Sequence, residues 1–140
     1  MGEDGWLAEV AWAGENVFLG SDMSGHTVVY DSTQGTQKGI GPMRALLTSL
    51  GACTGMDIVA ILKKRNQQLR SLKILVSGDR PEHGFPKPWT SIRVKYVLSG
   101  ESLETKYVEE AIRDSTEKFC HVAATLRPTA NITYSYEITA

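Results

Sequence analysis

The chain has 140 residues, of which 41% are hydrophobic and 22% are charged, and its formal net charge is -1. These values are typical of a globular protein, and the length suits a single domain over 1–140 that needs no disulfide to hold its core. The balanced charge argues against a nucleic-acid or anionic-membrane partner, because either would require a basic patch. The acidic first residues show no signal-peptide pattern, so we expect a cytoplasmic location.

The N-terminal third of the chain predicts three short strands. Apolar and polar residues alternate over 6–12, 17–19 and 27–30, and turn-forming residues such as 13–16 separate these stretches. Such short connections predict an antiparallel meander, in which each strand pairs with the next. A polar, glycine-rich loop over 31–41 follows.

A long apolar segment from Gly41 to Leu62 predicts a central helix. Pro42 suits its first turn, where the missing N–H group of proline removes no hydrogen bond. Because apolar residues surround almost the whole circumference, we expect this helix to be buried. A membrane span is the alternative for a segment of this length, but Arg44 and Asp57 argue against it, because charges deep in a bilayer are costly.

One face of the central helix predicts a homodimer. Its side chains are mostly small, and they belong to Ala45, Ser49, Ala52, Met56 and Val59. Such a stripe lets another helix approach closely, and one sheet of a small domain cannot cover a helix that is apolar all round. We therefore expect the central helices of two copies to pack about a two-fold axis.

The second half of the chain completes an α+β fold with the order β-β-β-α-β-β-α-α-β. The predicted elements are strands over 72–76 and 92–98, a helix from Thr105 to Phe119, a short helix over 122–126 and a strand over 132–138. The first two of these strands are expected to pair as a hairpin across a proline-rich loop over 78–88. Thr105 is the expected N-cap of its helix.

Three segments of the chain carry a resemblance to a known family. They are Gly-Pro-Met-Arg-Ala-Leu-Leu-Thr-Ser-Leu-Gly-Ala-Cys-Thr-Gly-Met-Asp-Ile-Val in the central helix, Phe-Cys-His-Val-Ala-Ala-Thr-Leu after the second helix, and the closing Ile-Thr-Tyr-Ser-Tyr-Glu-Ile strand. In order and spacing they resemble the OsmC/Ohr family of osmotically inducible and organic hydroperoxide resistance proteins. The resemblance implies an OsmC-like fold and an intertwined homodimer with two active sites at the subunit interface.

The resemblance also implies roles for the two cysteines. Cys53 would be the peroxidatic cysteine and Cys120 the resolving one. In that chemistry a thiolate reduces an organic hydroperoxide, becomes a sulfenic acid and condenses with the second thiol to a disulfide, which an external dithiol then reduces. The implied protein is a cysteine-based peroxidase of the antioxidant stress response, and it needs no metal or organic cofactor.

A reactive Cys53 requires a nearby cation, because burial and the carboxylate of Asp57, one turn later, both disfavour the thiolate. Active members of the family pair an Arg from the loop between the first strands with a Glu before the cysteine. Here the turn over 13–16 contains no Arg, and the chain looks closer to the redox-protein-like branch of the family. We expect the cation to come from Arg44 of a second copy or from Arg127.

Other functions remain open for the same residues. A non-catalytic redox sensor or a small apolar-ligand-binding protein would retain the dimer without fast peroxide reduction. Cys53 would then serve as a small buried hydrophobe, which is common for free cysteine. In the enzyme, Phe85 and Trp89 are candidates to line an apolar pocket for the alkyl tail of the peroxide.

A metal site is a further alternative. Cys120 and His121 are adjacent in the sequence and would form half of such a site, which His26 or His83 would complete. No metal-ligand spacing repeats along the chain, so we expect no metal.

Overall fold

The order of helices and strands is the one that the sequence predicts, and the fold is α+β. The computed structural model describes residues 5–140. Its elements are β1 (Glu9–Trp12), β2 (Phe18–Ser21), β3 (Thr27–Tyr30), α1 (Pro42–Lys64), β4 (Gln68–Asp79), β5 (Ser91–Glu101), α2 (Thr105–Asp114), a π-helical turn (Ser115–Phe119), α3 (His121–Leu126) and β6 (Asn131–Thr139). The chain divides into two compact units, Met1–Leu46 and Leu47–Ala140.

The first unit contains the predicted meander. Strands β1, β2 and β3 pair in that order and antiparallel, with Trp12 opposite Phe18 and Phe18 opposite Tyr30. The first strand begins at Glu9, three residues later than Trp6, where the alternation begins. The turn after β1 needs a left-handed backbone at Gly14 and Glu15, and the indole N–H of Trp12 donates to the Glu15 carbonyl at 2.8 Å.

The second unit contains a three-stranded sheet in the order β4-β5-β6. The predicted hairpin is confirmed, since β4 and β5 pair antiparallel from Gln68–Glu101 to Asp79–Ser91. By contrast, β5 and β6 pair parallel, with Tyr96 opposite Tyr136. Parallel neighbours require a crossover connection, and α2, the π-helical turn and α3 supply it.

Helix α1 packs closely against this sheet through two glycines. A Cβ atom added at Gly55 would lie 2.8 Å from Ile74 Cδ1, and one added at Gly51 would lie 3.5 Å from Val76 Cγ2. A side chain at position 55 would therefore require the end of the Ile74 side chain to shift. The fully buried side chains of this core include Leu50, Ile58, Leu62, Ile92, Val94, Leu98 and Val108.

The opposite face of α1 is exposed in the single chain. The predicted stripe includes Ser49, Ala52 and Val59, which are exposed, and Met56, whose exposed fraction is 72%. In one chain the sheet thus covers only one side of the helix, and burial of the other side by a second copy stays a prediction. By length and composition α1 would also suffice to cross a membrane, yet its inner face packs in the core of the unit.

The second helix changes its winding before it ends. Glu104, not Thr105, is the N-cap of α2, and the Gln67 side chain accepts from its N–H group at 2.8 Å. The predicted α-helix to Phe119 becomes a π-helical turn at Ser115, in which the N–H of Cys120 donates to the Ser115 carbonyl at 2.8 Å. Such π-turns insert one extra residue and often mark functional sites.

Candidate active site

The fold brings Cys53 and Cys120 together as free thiols. Cys53 lies half-buried in the middle of α1, and Cys120 lies between the π-helical turn and α3 with only 3% of its surface exposed. The side chain of Cys53 packs against the same core and lies close enough to Cys120 to raise the pKa of its thiol. Such closeness suits exchange between a dithiol and a disulfide, for which the two sulfurs must meet.

The environment of Cys120 favours the neutral thiol. Burial is the main cause, hydrogen bonding and charge repulsion from Cys53 add to it, and together they raise the pKa of the Cys120 thiol to about 11. The N–H group of Ala123 donates to Cys120 Sγ at 3.4 Å and acts in the opposite direction. At neutral pH Cys120 is thus protonated, and Cys53 is the more accessible sulfur.

A chain of buried hydroxyl groups runs beside the two thiols. Tyr96 Oη and Thr54 Oγ1 are 2.7 Å apart, and Thr54 Oγ1 is 2.8 Å from Ser115 Oγ. Ser115 Oγ donates to Asp57 Oδ2 at 2.9 Å. The three hydroxyl-bearing residues are fully buried, so these bonds satisfy polar groups that would otherwise be costly inside the core.

Two tyrosines from neighbouring strands line the same region. Tyr96 of β5 and Tyr134 of β6 stack with their ring centroids 6.4 Å apart. Burial raises the pKa of both hydroxyls, with Cys120 adding to the rise in each case. Among the side chains that the structure describes, Tyr134 Oη is the buried polar atom that makes no hydrogen bond.

The two candidate cations occupy different positions. Arg127 caps the C-terminus of α3, donates from Nη2 to the Thr116 carbonyl and lowers the pKa of Tyr134 by its charge. The structure thus places Arg127 near Tyr134, which itself lies near Cys120. Arg44 lies in the first turn of α1 with an exposed side chain. A role for either residue in activating Cys53 stays a prediction.

The two candidate pocket residues lie on the loop between β4 and β5. Phe85 is 92% exposed, and its ring contacts Lys87 Nζ at 5.1 Å. Trp89 is half-buried, and Arg80 lies over its ring at 5.6 Å. Within the single chain, Phe85 lines no apolar pocket, because water surrounds most of its ring.

The metal alternative finds no cluster to support it. Over residues 5–140, no group of three or more His, Cys, Asp or Glu side chains is placed to hold a metal ion. His26, which would complete the half-site of Cys120 and His121, instead contacts Asp22 Oδ2 at 2.8 Å through Nδ1.

The sequence-based prediction of the site missed the polar residues near the thiols. Thr54, Ser115, Tyr96 and Tyr134 were not among its candidates. A signal was present for the first two, since Thr54 is a polar residue in an apolar helix and Ser115 lies at helical spacing from Ala111 and Ile112. A hydroxyl group on a buried helical face needs a hydrogen-bond partner, which a sequence cannot identify.

Sequence comparisons relate the chain to known proteins. The model of the family described as OsmC-like protein matches residues 35–135. The Escherichia coli protein YhfA is 35% identical over 133 residues, which cover 95% of this chain and 98% of YhfA.

Solved structures extend the likeness to the fold. A hypothetical protein from Aquifex aeolicus is 36% identical with a TM-score of 0.84, and the match covers 94% of each chain. The organic hydroperoxide resistance protein OhrB of Bacillus subtilis is 16% identical with a TM-score of 0.63, over 94% of this chain and 98% of OhrB. The Aquifex aeolicus protein is similar in sequence as well as in fold, whereas the similarity to OhrB is shown for the fold alone. The chain therefore belongs to the OsmC family.

Proposed function

We propose that the protein is a thiol-dependent peroxidase that reduces organic hydroperoxides. The observation that carries the proposal is the closeness of the free thiols of Cys53 and Cys120 inside a family fold. The resemblance to organic hydroperoxide resistance proteins supports the substrate class. The structural neighbour OhrB of Bacillus subtilis is described as such a protein.

The reaction divides into two balanced steps. In the first, Cys53 as thiolate attacks the outer oxygen of the hydroperoxide, the O–O bond breaks, and the alkoxide leaves as the alcohol after taking a proton. Cys53 is then a sulfenic acid. In the second, Cys120 Sγ bonds to Cys53 Sγ, the S–O bond breaks, and the hydroxyl leaves as water with the thiol proton of Cys120.

The difference in exposure supports this assignment of roles. A half-buried thiol such as Cys53 can meet a peroxide, whereas Cys120 is nearly inaccessible. The raised pKa of Cys120 also makes it a poor first nucleophile, since the thiolate is the reactive form. An external dithiol would complete the cycle by attacking the more accessible sulfur, Cys53, and releasing Cys120.

The cation for Cys53 and the second subunit belong to the same proposal. We expect Arg127, or Arg44 from a second copy, to stabilise the thiolate. A homodimer would also cover the exposed stripe on α1, which includes Met56 and Val59. If Arg44→Ala and Arg127→Ala both leave the pH dependence of Cys53 alkylation unchanged, the cation comes from elsewhere.

Stoichiometric oxidation tests the enzyme. Reduced protein is mixed with one equivalent of cumene hydroperoxide, quenched at intervals, and analysed by thiol counting and peptide mapping. We expect both thiols to disappear within seconds and a Cys53–Cys120 disulfide to appear. Two unreacted thiols after an hour would contradict the proposal.

Two matched variants separate the roles of the cysteines. Cys53→Ser should not consume hydroperoxide. Cys120→Ser should still consume one equivalent and accumulate a sulfenic acid at Cys53, which dimedone traps. If the Cys53→Ser variant instead formed a sulfenic acid on Cys120, the peroxidatic and resolving roles would be reversed.

A slow redox sensor is the second candidate, and the environment of Cys120 favours it. A thiol pKa of about 11 makes Cys120 a poor leaving group, so reduction of the disulfide would be slow. Multiple turnover with a dithiol such as dihydrolipoamide distinguishes the two functions. Sustained turnover supports the peroxidase, whereas one fast oxidation followed by slow reduction supports the sensor.

A further inference from the structure

The hydroxyl chain of Tyr96, Thr54, Ser115 and Asp57 has a fixed direction. Ser115 Oγ donates its only proton to Asp57 Oδ2, so it must accept at the 2.8 Å contact from Thr54 Oγ1. Because Thr54 Oγ1 donates its only proton to Ser115 Oγ, it must accept at the 2.7 Å contact with Tyr96, so the Tyr96 hydroxyl is the donor there. Thr54 and Ser115 each donate once and accept once, Tyr96 donates at the start of the chain, and the chain ends at the carboxylate of Asp57.

The central bond of this chain joins the two segments that carry the cysteines. Thr54 follows Cys53 directly in α1. The carbonyl of Ser115 accepts from the N–H group of Cys120, and this bond closes the π-helical turn. The bond between Thr54 and Ser115 therefore links the backbone at one cysteine, through two short side chains, to the backbone at the other.

We propose that Thr54 and Ser115 are positioning residues that hold Cys120 Sγ against the sulfenic acid of Cys53. The proposal rests on the proposed function and concerns only its second step, in which the S–S bond forms, the S–O bond breaks and water leaves. No further reactant is required. A complete buried hydrogen-bond network is rigid, and here it would limit the separation of the two segments.

The need for such positioning follows from competition at Cys53. A sulfenic acid that is not captured reacts with a second hydroperoxide to an irreversible sulfinic acid, or with another thiol. Cys120 is buried and protonated, so its intrinsic reactivity is low. Only a high effective concentration, which fixed geometry provides, lets it compete.

A partition experiment tests this inference. Reduced protein receives one equivalent of cumene hydroperoxide together with increasing dimedone, and mass spectrometry gives the ratio of Cys53–Cys120 disulfide to Cys53 adduct. Both products arise from the same sulfenic acid, so the ratio is independent of the rate of the first step. Thr54→Val, which replaces the hydroxyl with a methyl group, should lower the dimedone concentration for half-trapping by about tenfold or more.

Three further variants fix the interpretation. Thr54→Ser retains the hydroxyl and should keep the wild-type ratio. If the loss in Thr54→Val had a purely steric cause, the hydroxyl of Thr54→Ser would not protect the ratio. Ser115→Ala removes the other partner of the bond and should reproduce the loss, and it replaces Thr54→Val if that variant does not fold. Thr90→Val makes the same chemical change at an exposed threonine, whose hydroxyl donates to the Asp79 carbonyl, and should keep the ratio within about twofold.

The outcomes separate the two proposals. If wild-type protein forms neither disulfide nor adduct, the proposed peroxidase fails, and this inference fails with it. If wild-type protein forms the disulfide while Thr54→Val and Ser115→Ala keep its ratio, the peroxidase stands and the positioning role is overturned.

Discussion

The two units of the chain differ in where their apolar side chains lie. In Met1–Leu46, Trp6 and Trp12 are 67% and 69% exposed, although the meander is well paired. In Leu47–Ala140, α1 and the second sheet bury a continuous core that includes Leu50, Ile58, Leu62, Tyr96 and Val108. Large apolar side chains are thus exposed in the first unit and buried in the second.

The difference shows which unit supplies its own stability. A three-stranded sheet needs a packed apolar face for independent stability in water, and a large exposed apolar surface marks an interaction site. The second unit has its own core and also contains both thiols and the hydroxyl chain. The site thus lies in the unit that buries its own core, and a homodimer that covers the exposed residues stays a prediction.

The largest expected effect is on assembly. Met56→Arg places a charge on the exposed stripe of α1 and should raise the dimer dissociation constant by at least about 100-fold, because a desolvated unpaired charge is costly. Light scattering at micromolar concentration should show a dimer for the wild type and a monomer for the variant. A wild-type monomer at that concentration would end the prediction of a homodimer.

A matched pair of truncations sharpens the comparison between the units. In the Met56→Arg background, Ile58→Ala should lower the free energy of unfolding by about 2 to 5 kcal/mol, because it opens a cavity in the core. Val10→Ala, on the exposed meander, should change it by less than about 0.5 kcal/mol. Urea unfolding measures both values, and equal effects would contradict the difference in burial between Ile58 and Val10.

The smallest effect concerns pH and the buried thiol. The pKa of Cys120 rises from 9.0 to about 11 on folding, so between these values the native state keeps a proton that the unfolded state has lost. The stabilisation is complete below pH 9 and is lost as the pH rises to 11, by at most about 2.7 kcal/mol. Unfolding of reduced protein over pH 8 to 11 should show this decline.

Cys120→Ala provides the control for that decline. Tyrosine and lysine residues titrate in both proteins, so only the difference between the two slopes belongs to Cys120. Without Cys120, the free energy of unfolding should fall less steeply between pH 9 and 11. Parallel curves would mean that the thiol is not buried as the structure places it.

Much of the fold was predictable because its signals are local. Pro42 marked the start of α1, strand alternation located β3 at Thr27–Tyr30, and the order of all elements was confirmed. The boundaries that were wrong depended on contacts elsewhere. The N-cap at Glu104 is held by Gln67, and the π-helical turn replaces the predicted helical end where Ser115 bonds to α1.

The sequence by itself determined the α+β order of the elements, the family resemblance and the two cysteines, because periodicity and motif order are properties of neighbouring residues. Only the tertiary structure decided what surrounds those cysteines. The closeness of Cys53 to Cys120 and the bond from Thr54 to Ser115 bring together residues more than 50 positions apart, and Cys120 is buried by the same packing. Such contacts depend on how a helix packs on a sheet, and no local pattern encodes that packing.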